Sequence, residues 1–215
     1  MPQRETILVL SAHSDDFVLG AGGTIARYAQ QGKKVLVVVF SYGEKSHPWM
    51  KKQVIKPLRA REAREASRIL RCRVKFFDLP ELSYLQTYQR QGVDRQLLRL
   101  LEHIKPNKIF THSDEDPHPD HRAVHQITMD VWNKARRKPD VYLYSIWNPI
   151  SIKTRYPALY TDISATFNIK MAALRKFPSQ RYNAIYPLLL LVLFRAVKDG
   201  IHLGKSFGEH FFKVR

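Results

Sequence analysis

Short apolar runs that alternate with helical segments constrain the fold of this chain more than any other feature. After Lys34 the sequence reads Val-Leu-Val-Val-Val-Phe, and such a continuous apolar run is typical of a central strand covered on both faces. The predicted strands are residues 6–10, 34–40, 74–77, 108–111 and 141–144.

Helical segments lie between these strands. The predicted helices are residues 19–31, 57–70, 94–104, 122–135, 165–175 and 188–198, with an irregular stretch at 179–187. No repeat, low-complexity segment or linker divides the chain, so we expect residues 1–215 to form a single domain. The alternation predicts an α/β fold with a mostly parallel sheet and helices on both faces.

Two polar segments follow predicted strands. Residues 11–16 read Ser-Ala-His-Ser-Asp-Asp after the first strand, and residues 118–121 read His-Pro-Asp-His a few residues after the fourth. Because ligands collect outside the carboxyl ends of parallel strands, we expect both segments at one edge of the sheet. His13, Asp16 and His121 then predict a metal site that suits zinc, with iron(II), cobalt or manganese as alternatives.

Three further side chains in these segments have chemistry that complements a metal site. Asp15 is a candidate general base for metal-assisted hydrolysis. His118 is a candidate donor to a developing oxyanion. Asp120 lies between two histidines and could fix the tautomer of one of them. The competing interpretation is structural, with Asp15 or Asp16 accepting hydrogen bonds as a helix N-cap.

The charge of the chain leaves other functions open. There are 36 Lys and Arg against 19 Asp and Glu, a net charge of +17. Residues 51–75 hold ten basic and two acidic residues, a net of +8. Such a field favours anionic partners, so a basic nucleic-acid-binding or anionic-surface-binding protein with an incidental His/Asp cluster is an alternative. Metal-dependent phosphoester hydrolysis is another, although it usually needs ligands for two metal ions.

The remaining composition bears on location. Cys72 is the only cysteine, which excludes an internal disulfide and fits a reducing cytoplasm. We predict no secretory signal, and the longest apolar run, residues 188–194, is far shorter than the roughly 20 residues of a membrane span. We therefore expect a cytoplasmic protein. Peripheral contact of that run or of the basic patch with an anionic lipid or glycan surface is an alternative to an ordinary core helix.

The motifs together resemble a known family. Ala-His-Ser-Asp-Asp at 12–16 is followed by Gly-Ala-Gly-Gly-Thr at 20–24 and by His-Pro-Asp-His at 118–121. Weaker matches are Ser-Tyr-Gly-Glu at 41–44, the helix positions Arg59, Glu62, Ala66 and Leu70, the pair Ser179 and Gln180, and Gly-Glu-His-Phe at 208–211. This combination resembles the PIG-L / LmbE-like family of zinc-dependent N-acetylglucosamine deacetylases over nearly the whole chain.

The resemblance implies a Rossmann-like fold and hydrolysis of the N-acetyl group of a glucosamine-containing substrate, with release of acetate. It implies the same metal ligands, Asp15 as general base and His118 as the oxyanion-stabilising group. Ser14 and Phe17 stand where the family usually has proline and glutamate. Asp116 stands where some members have an aromatic residue near the acetyl carbonyl. These departures leave the pocket shape and the sugar conjugate open.

Sugar hydroxyls also need hydrogen-bonding partners. Arg59 and Glu81 lie near predicted strand-edge loops and are candidate substrate-binding residues, with ordinary surface charge as the alternative for each. The glycines at residues 20–23 match the dinucleotide fingerprint poorly, and we expect them to let a helix pack closely under the site. The sequence predicts neither the oligomeric state nor the physiological metal.

Overall fold

The structure, a computed structural model, describes residues 4–47, 49–149, 151 and 156–215, apart from the side chain of Ser46. Its strands are β1 (Thr6–Ser11), β2 (Lys34–Val39), β3 (Arg73–Phe76), β4 (Lys108–His112), β5 (Asp140–Tyr144), β6 (Ala158–Asp162) and β7 (Gly208–Lys213). Its α-helices are α1 (Asp16–Gln30), α2 (Lys52–Ile69), α3 (Tyr84–Thr87), α4 (Val93–Ile104), α5 (Pro119–Lys134), α6 (Phe167–Leu174) and α7 (Tyr186–Leu203).

The seven strands form one sheet in the order β3-β2-β1-β4-β5-β7-β6. Strands β1 to β5 are parallel, and β7 runs antiparallel to both β5 and β6. Chain order reverses between β1 and β4, which pair side by side. Doubly wound α/β folds bind ligands at this kind of reversal, outside the carboxyl ends of the strands. The predicted α/β class and mostly parallel sheet are confirmed.

A hydrophobic core lies on each face of the sheet. Val9 and Val37 belong to the core that buries residues of α1, α6 and α7, whereas Leu8 and Val38 belong to the core that buries residues of α4 and α5. Neighbouring residues of one strand point to opposite faces, so both central strands must be apolar throughout. This is the physical reason for the continuous apolar run in β2.

Several predicted helix boundaries are wrong by a few residues. Helix α1 begins at Asp16, not residue 19, and α5 begins at Pro119, not residue 122. Proline is favoured in the first turn of a helix because its missing N–H has no intrahelical partner there. Asp120 and His121 therefore lie on the first turn of α5 and not in a loop. Helix α2 begins at Lys52 and contains Pro57, which was expected in its first turn.

The C-terminal part differs most from the expectation. Strands β6 and β7 were not predicted, and they pair with each other along five residues. The stretch expected to be irregular contains a 3₁₀ turn (Pro178–Gln180) and a π-helical turn (Arg181–Ile185) that leads directly into α7. The described residues contain no helix that is long and apolar enough to cross a membrane.

Helix α1 is broken at Ala21, and a side chain of β7 accepts hydrogen bonds from the backbone amides that follow the break. Ala21 has φ −143°, outside the helical range, so the amides that follow lack helical partners. Glu209 of β7 accepts from the Gly23 N–H at 3.0 Å and the Thr24 N–H at 2.8 Å. Lys170 of α6 donates to the Glu209 carboxylate at 2.7 Å and to the Leu19 carbonyl at 2.8 Å. This buried pair therefore ties three elements together.

Gly20 lies just before the break and lets α1 approach the sheet. A Cβ atom at this position would lie 2.3 Å from the ring of Tyr144, a distance that side chains do not tolerate. The Tyr144 hydroxyl donates to the Leu10 carbonyl of β1 at 2.7 Å. The glycine therefore serves close packing beneath the loop after β1, as the sequence predicted.

Candidate active site

The two polar segments meet at the carboxyl edge of β1 and β4. The loop after β1 leads into α1 and carries His13, Asp15 and Asp16, and all three are buried. The first turn of α5 brings His121 to the same place, also buried. The parallel pairing of β1 with β4 unites segments that are about a hundred residues apart.

His13, Asp16 and His121 form a compact trio. Asp16 Oδ2 lies 3.4 Å from His13 Nδ1 and 3.4 Å from His121 Nε2. One ligand atom from each of the three residues lies within 4.8 Å of the other two. The backbone N–H of His13 donates to the same Asp16 oxygen at 2.8 Å, which fixes the carboxylate. The competing N-cap interpretation fails for Asp15, whose side chain makes no capping hydrogen bond.

The trio fits a divalent cation. The buried His121 Nε2 has no hydrogen-bond partner among the described residues and faces the Asp16 carboxylate. Burial lowers the pKa of His121, but the charge of Asp16 and the hydrogen bond to Asp116 outweigh it and raise the pKa to about 9. The negative charge of these carboxylates therefore favours a positive charge on the trio. Two imidazole nitrogens and a carboxylate oxygen are ligands that zinc and other transition metals accept.

A second group of ligand atoms shares His13 with the trio. His13, His118 and Asp120 also bring one ligand atom each within 4.8 Å of the others. Asp120 Oδ2 lies 3.2 Å from His13 Nε2, and Asp120 Oδ1 accepts from the Leu82 N–H at 2.8 Å. Asp120 therefore contacts a histidine ring, as the tautomer hypothesis expects. Because both groups use His13, they do not form two independent metal sites.

Asp15 lies beside the trio and contacts Arg59. Arg59 is 1% exposed, and its guanidinium lies 3.2 Å from Asp15 Oδ1 and donates to Ser14 Oγ at 2.7 Å. Burial raises the pKa of Asp15, and the charge of Arg59 opposes that rise. A base held in this way keeps an affinity for protons while a cation stabilises its charged form. Ser14 supplies an acceptor for Arg59.

His118 is the N-cap of α5. Its Nδ1 accepts from the Asp120 N–H at 3.2 Å, which leaves Nε2 as the nitrogen that carries the proton in a neutral ring. Burial lowers the pKa of His118 to about 4, and the charges of His13 and His121 act in the same direction. The ring is therefore a neutral donor at neutral pH.

Glu81 also reaches the site. Its Oε1 lies 3.4 Å from His13 Nε2, and its other oxygen accepts from the Lys45 N–H. Burial raises the pKa of Glu81. Arg59 and Glu81 both line the cavity in front of the trio, so the alternative of ordinary surface charge is wrong for both.

Two important residues were not identified from the sequence in the positions they occupy. Asp116 is fully buried, and its Oδ1 lies 2.9 Å from His121 Nδ1. Its Oδ2 accepts from the Ile146 and Trp147 amides at 3.0 and 3.1 Å. Asp116 therefore orients His121 from behind and does not line the pocket near a substrate carbonyl. Its place two residues before His118, in a Ser-Asp-Glu-Asp-Pro turn, was the available signal.

His112 is the other residue that was missed. It is the last residue of β4, and its Nε2 accepts from the Ala12 N–H at 2.9 Å. Its ring stacks on His121 with centroids 4.1 Å apart. Burial lowers the pKa of His112 to about 4, so the ring is neutral and supports the trio from beneath. Its position at a strand end, close to the edge where the site forms, could have indicated this role.

A cavity of about 140 Å³ opens in front of these residues. Its polar lining includes His13, Asp15, His118, Arg59, Glu81, Gln180 and Asn183. Its apolar lining includes Leu19, Ile146, Trp147, Ala184 and Leu188. The C-terminal part of the chain supplies most of the apolar lining.

Comparison with known proteins agrees with this architecture. The sequence model of the PIG-L family, described as GlcNAc-PI de-N-acetylase, matches residues 8–132, more than half of the chain. The chain belongs to the PIG-L family, whose members include metal-dependent deacetylases.

Individual relatives have different activities. The chain is 30% identical over 206 residues to the 4-oxalmesaconate hydratase of Pseudomonas putida, covering 84% of this chain and 76% of the relative. It is 28% identical over 186 residues to the uncharacterized deacetylase YaiS of Escherichia coli, covering 82% and 92%. The N,N'-diacetylchitobiose deacetylase from Pyrococcus horikoshii shares the fold, with TM-score 0.80, 21% identity and coverage of 98% and 84%.

Proposed function

We propose that this protein is a metal-dependent deacetylase that removes the N-acetyl group from an N-acetylglucosamine-containing substrate. One observation carries the proposal. A buried carboxylate, Asp15, and a neutral imidazole, His118, line the same cavity as His13 and Asp16 of the trio. His121, the third member of the trio, is fully buried 3.4 Å from Asp16. Amide hydrolysis needs a proton acceptor, an oxyanion donor and an electrophile in this kind of arrangement.

His13, Asp16 and His121 would hold the metal, for which zinc is the first candidate and iron(II), cobalt and manganese are alternatives. When bound, the metal supplies Lewis-acid polarisation and lowers the pKa of water. Asp116 holds the ring of His121 in place through its 2.9 Å contact. Asp120 contacts His13 from the other side and would orient it.

The proton steps belong to Asp15. It takes a proton from the attacking water, and Arg59 stabilises its charged form before that transfer. His118 donates its Nε2 proton in a hydrogen bond to the tetrahedral oxyanion, because Nδ1 is engaged by the Asp120 amide. Asp15 then gives its proton to the departing amine, and the products are acetate and a free amino sugar.

The cavity suits a sugar ring. Glu81, Gln180 and Asn183 of its lining carry polar groups that can bind hydroxyls, and Trp147 belongs to its apolar lining. Arg59 reaches the cavity with its guanidinium but is already bound to Ser14 and Asp15. We therefore assign Glu81 to substrate binding and Arg59 chiefly to control of Asp15.

An acetate-release screen over N-acetylglucosamine conjugates tests the proposal. We expect release by protein reconstituted with zinc, loss of release with a chelator, and recovery when metal is restored. The variant Asp15→Asn is the control, since it removes the base and leaves the proposed ligands. Metal-replete protein that releases no acetate from any conjugate, or release that survives in Asp15→Asn, would overturn the proposal.

A second candidate reaction is hydration of a carbon–carbon double bond in a carboxylate substrate. The 30% identity to a hydratase over 84% of this chain favours it. The same groups would serve, since hydration also needs a general base and an electrophile. Loss of the ultraviolet absorbance of an unsaturated hydroxy-carboxylate, without acetate release from any amide, would favour this reaction.

The basic surface is a separate feature. Arg61, Arg64, Arg68 and Arg71 are exposed, whereas Ala60, Ala63 and Ser67 of α2 are buried. None of these arginines lines the cavity described above. Nucleic-acid binding and the cytoplasmic location stay predictions, and binding to heparin or DNA without bound metal would favour the nucleic-acid alternative.

A further inference from the structure

Helix α7 and the π-helical turn before it carry an exposed apolar stripe that the proposed reaction does not use. The stripe consists of Tyr182, Tyr186, Leu190, Phe194, Val197 and Ile201, spaced three or four residues apart. Four of these side chains are strongly exposed: Tyr182 (75%), Leu190 (78%), Phe194 (62%) and Ile201 (73%). Residues at this spacing share one face of a helix, so the stripe is continuous.

The opposite face of α7 explains why the helix is stable without covering the stripe. Leu188 and Val192 are buried in the core on one face of the sheet, and Ala196 is buried with Phe167 of α6. The helix is therefore apolar on two sides, and only one side packs against the protein. Such a helix is expected to have a partner for its second apolar side.

The stripe holds a disproportionate share of the exposed apolar surface. Among the described residues, it contains six of the eleven large apolar side chains that are exposed. From Tyr186 to Ile201 it extends about 22 Å at the rise of an α-helix. Contiguous apolar surface of this length marks an interaction site, whereas singly exposed apolar side chains do not.

The charges beside the stripe are mostly positive. Residues 156–215 contain nine Lys and Arg and three acidic residues. Asp199 and Glu209 are buried, and Asp162 lies 3.6 Å from Arg27. Lys198 and Lys205 of α7 and its following turn are exposed, as is Arg181 before the helix. A second copy of the chain would bring these cations against one another, whereas an anionic surface would attract them.

We propose that this stripe docks the protein on an anionic lipid surface. Tyr182, Tyr186, Leu190 and Phe194 enter the boundary between head groups and acyl chains, and Arg181, Lys198 and Lys205 lie at the level of the lipid phosphates. Aromatic and long apolar side chains with flanking cations are the features of helices that lie in a membrane interface.

Docking would place the catalytic cavity beside the lipid surface. Asn183, Ala184 and Leu188 line that cavity. Each of them is within two residues of Tyr182 or Tyr186 of the stripe. The N-terminal end of the stripe therefore borders the cavity. The docking proposal depends on the stripe and its charges and stands whichever reaction the cavity performs.

Vesicle sedimentation tests the proposal. The probes are vesicles of phosphatidylcholine alone and of an equimolar mixture of phosphatidylcholine and phosphatidylglycerol. We expect metal-loaded protein to bind the mixed vesicles, to bind the neutral vesicles much more weakly, and to be released by high salt. Protein that stays in the supernatant with the mixed vesicles would overturn the proposal.

A variant and a matched control define the surface. Leu190→Ser combined with Phe194→Ser should lower the partition coefficient about 10²-fold, because each exposed side chain loses its burial in the interface. Leu85→Ser is the control, since Leu85 is also exposed but lies on α3, away from α7. Both proteins should keep the wild-type melting temperature and the wild-type rate on a soluble substrate.

Equal binding by the double variant and the wild type would overturn the proposal. Analytical ultracentrifugation tests separately whether a second copy of the chain covers the stripe. A wild-type dimer that dissociates in the double variant would show that a second copy covers the stripe, and would overturn lipid docking. Monomeric wild-type protein that binds the mixed vesicles supports it.

Discussion

Two buried polar clusters of this molecule differ in how their hydrogen-bonding groups are satisfied. The first is the pair of Lys170 and Glu209, in which the carboxylate accepts from Lys170 and from two amides of the broken helix α1. The second is the trio of His13, Asp16 and His121, in which a buried imidazole nitrogen has no hydrogen-bond partner among the described residues.

The difference separates a structural cluster from a reactive one. The Lys170–Glu209 pair balances its charges and completes the amides of α1, so its contacts account for its burial. Several carboxylates lie close to the histidines of the trio, and the pKa of His121 is raised to about 9. They are Asp16 within the trio and Asp116, Asp120 and Glu81 around it. A buried polar atom without a hydrogen-bond partner indicates that the protein binds a ligand there.

Loss of the base should have the largest effect. Asp15→Asn removes the group that takes and returns the proton, so we expect acetate release to fall by about 10⁴-fold. Elemental analysis should show an unchanged metal content, and thermal melting should show a folded protein. Loss of metal in this variant would instead make Asp15 a ligand and contradict the assignment.

Breaking the structural pair should reduce stability and leave the chemistry intact. Glu209→Gln removes the partner of buried Lys170, so we expect the free energy of unfolding to fall by about 3–5 kcal/mol. Urea denaturation measures this change, and the rate per folded molecule should stay near that of the wild type. The double variant Lys170→Met with Glu209→Gln should recover part of the loss. A large fall in rate for folded Glu209→Gln would mean that the pair also contributes to the reaction and is not purely structural.

Loosening a ligand should weaken metal binding. Asp116→Asn removes the charge behind His121, so we expect a 10–100-fold weaker metal affinity, the typical effect of losing such a supporting group. Competition with a chelator measures the affinity. Asp114→Asn is the matched control, because Asp114 is exposed two residues away. Equal affinities for the two variants would mean that Asp116 does not orient the ligand.

The smallest effect is expected from a change in the packing of α1 against Tyr144 of β5. Gly20→Ala places a methyl group 2.3 Å from the Tyr144 ring, so we expect a loss of about 1–3 kcal/mol in stability. Gly22→Ala is the milder comparison, since its added Cβ would lie 3.1 Å from Lys170 Cγ and 3.2 Å from Val18 Cγ1. Thermal melting of both variants should show the larger loss of stability for Gly20→Ala.

The sequence alone determined the alternation of strands and helices, the edge of the sheet where the site lies, and the residues of the trio. It did so because the apolar run of β2 and the two short polar segments are local patterns with a direct physical meaning. The loop after β1 and the residues after β4 had to meet once the two strands paired.

The tertiary structure alone decided how the site residues are held. Asp116 turns toward His121, Arg59 reaches Asp15 from α2, and His112 lies beneath the trio. The contacts of Arg59 and His112 join residues far apart in the chain, so they depend on how whole elements pack, and no local spacing encodes that packing. Asp116 is close to His121 in the chain, but the amides of Ile146 and Trp147, which hold its carboxylate, are not. Strands β6 and β7 and the exposed stripe of α7 escaped prediction for the same reason, because pairing and burial are settled between distant parts of the chain.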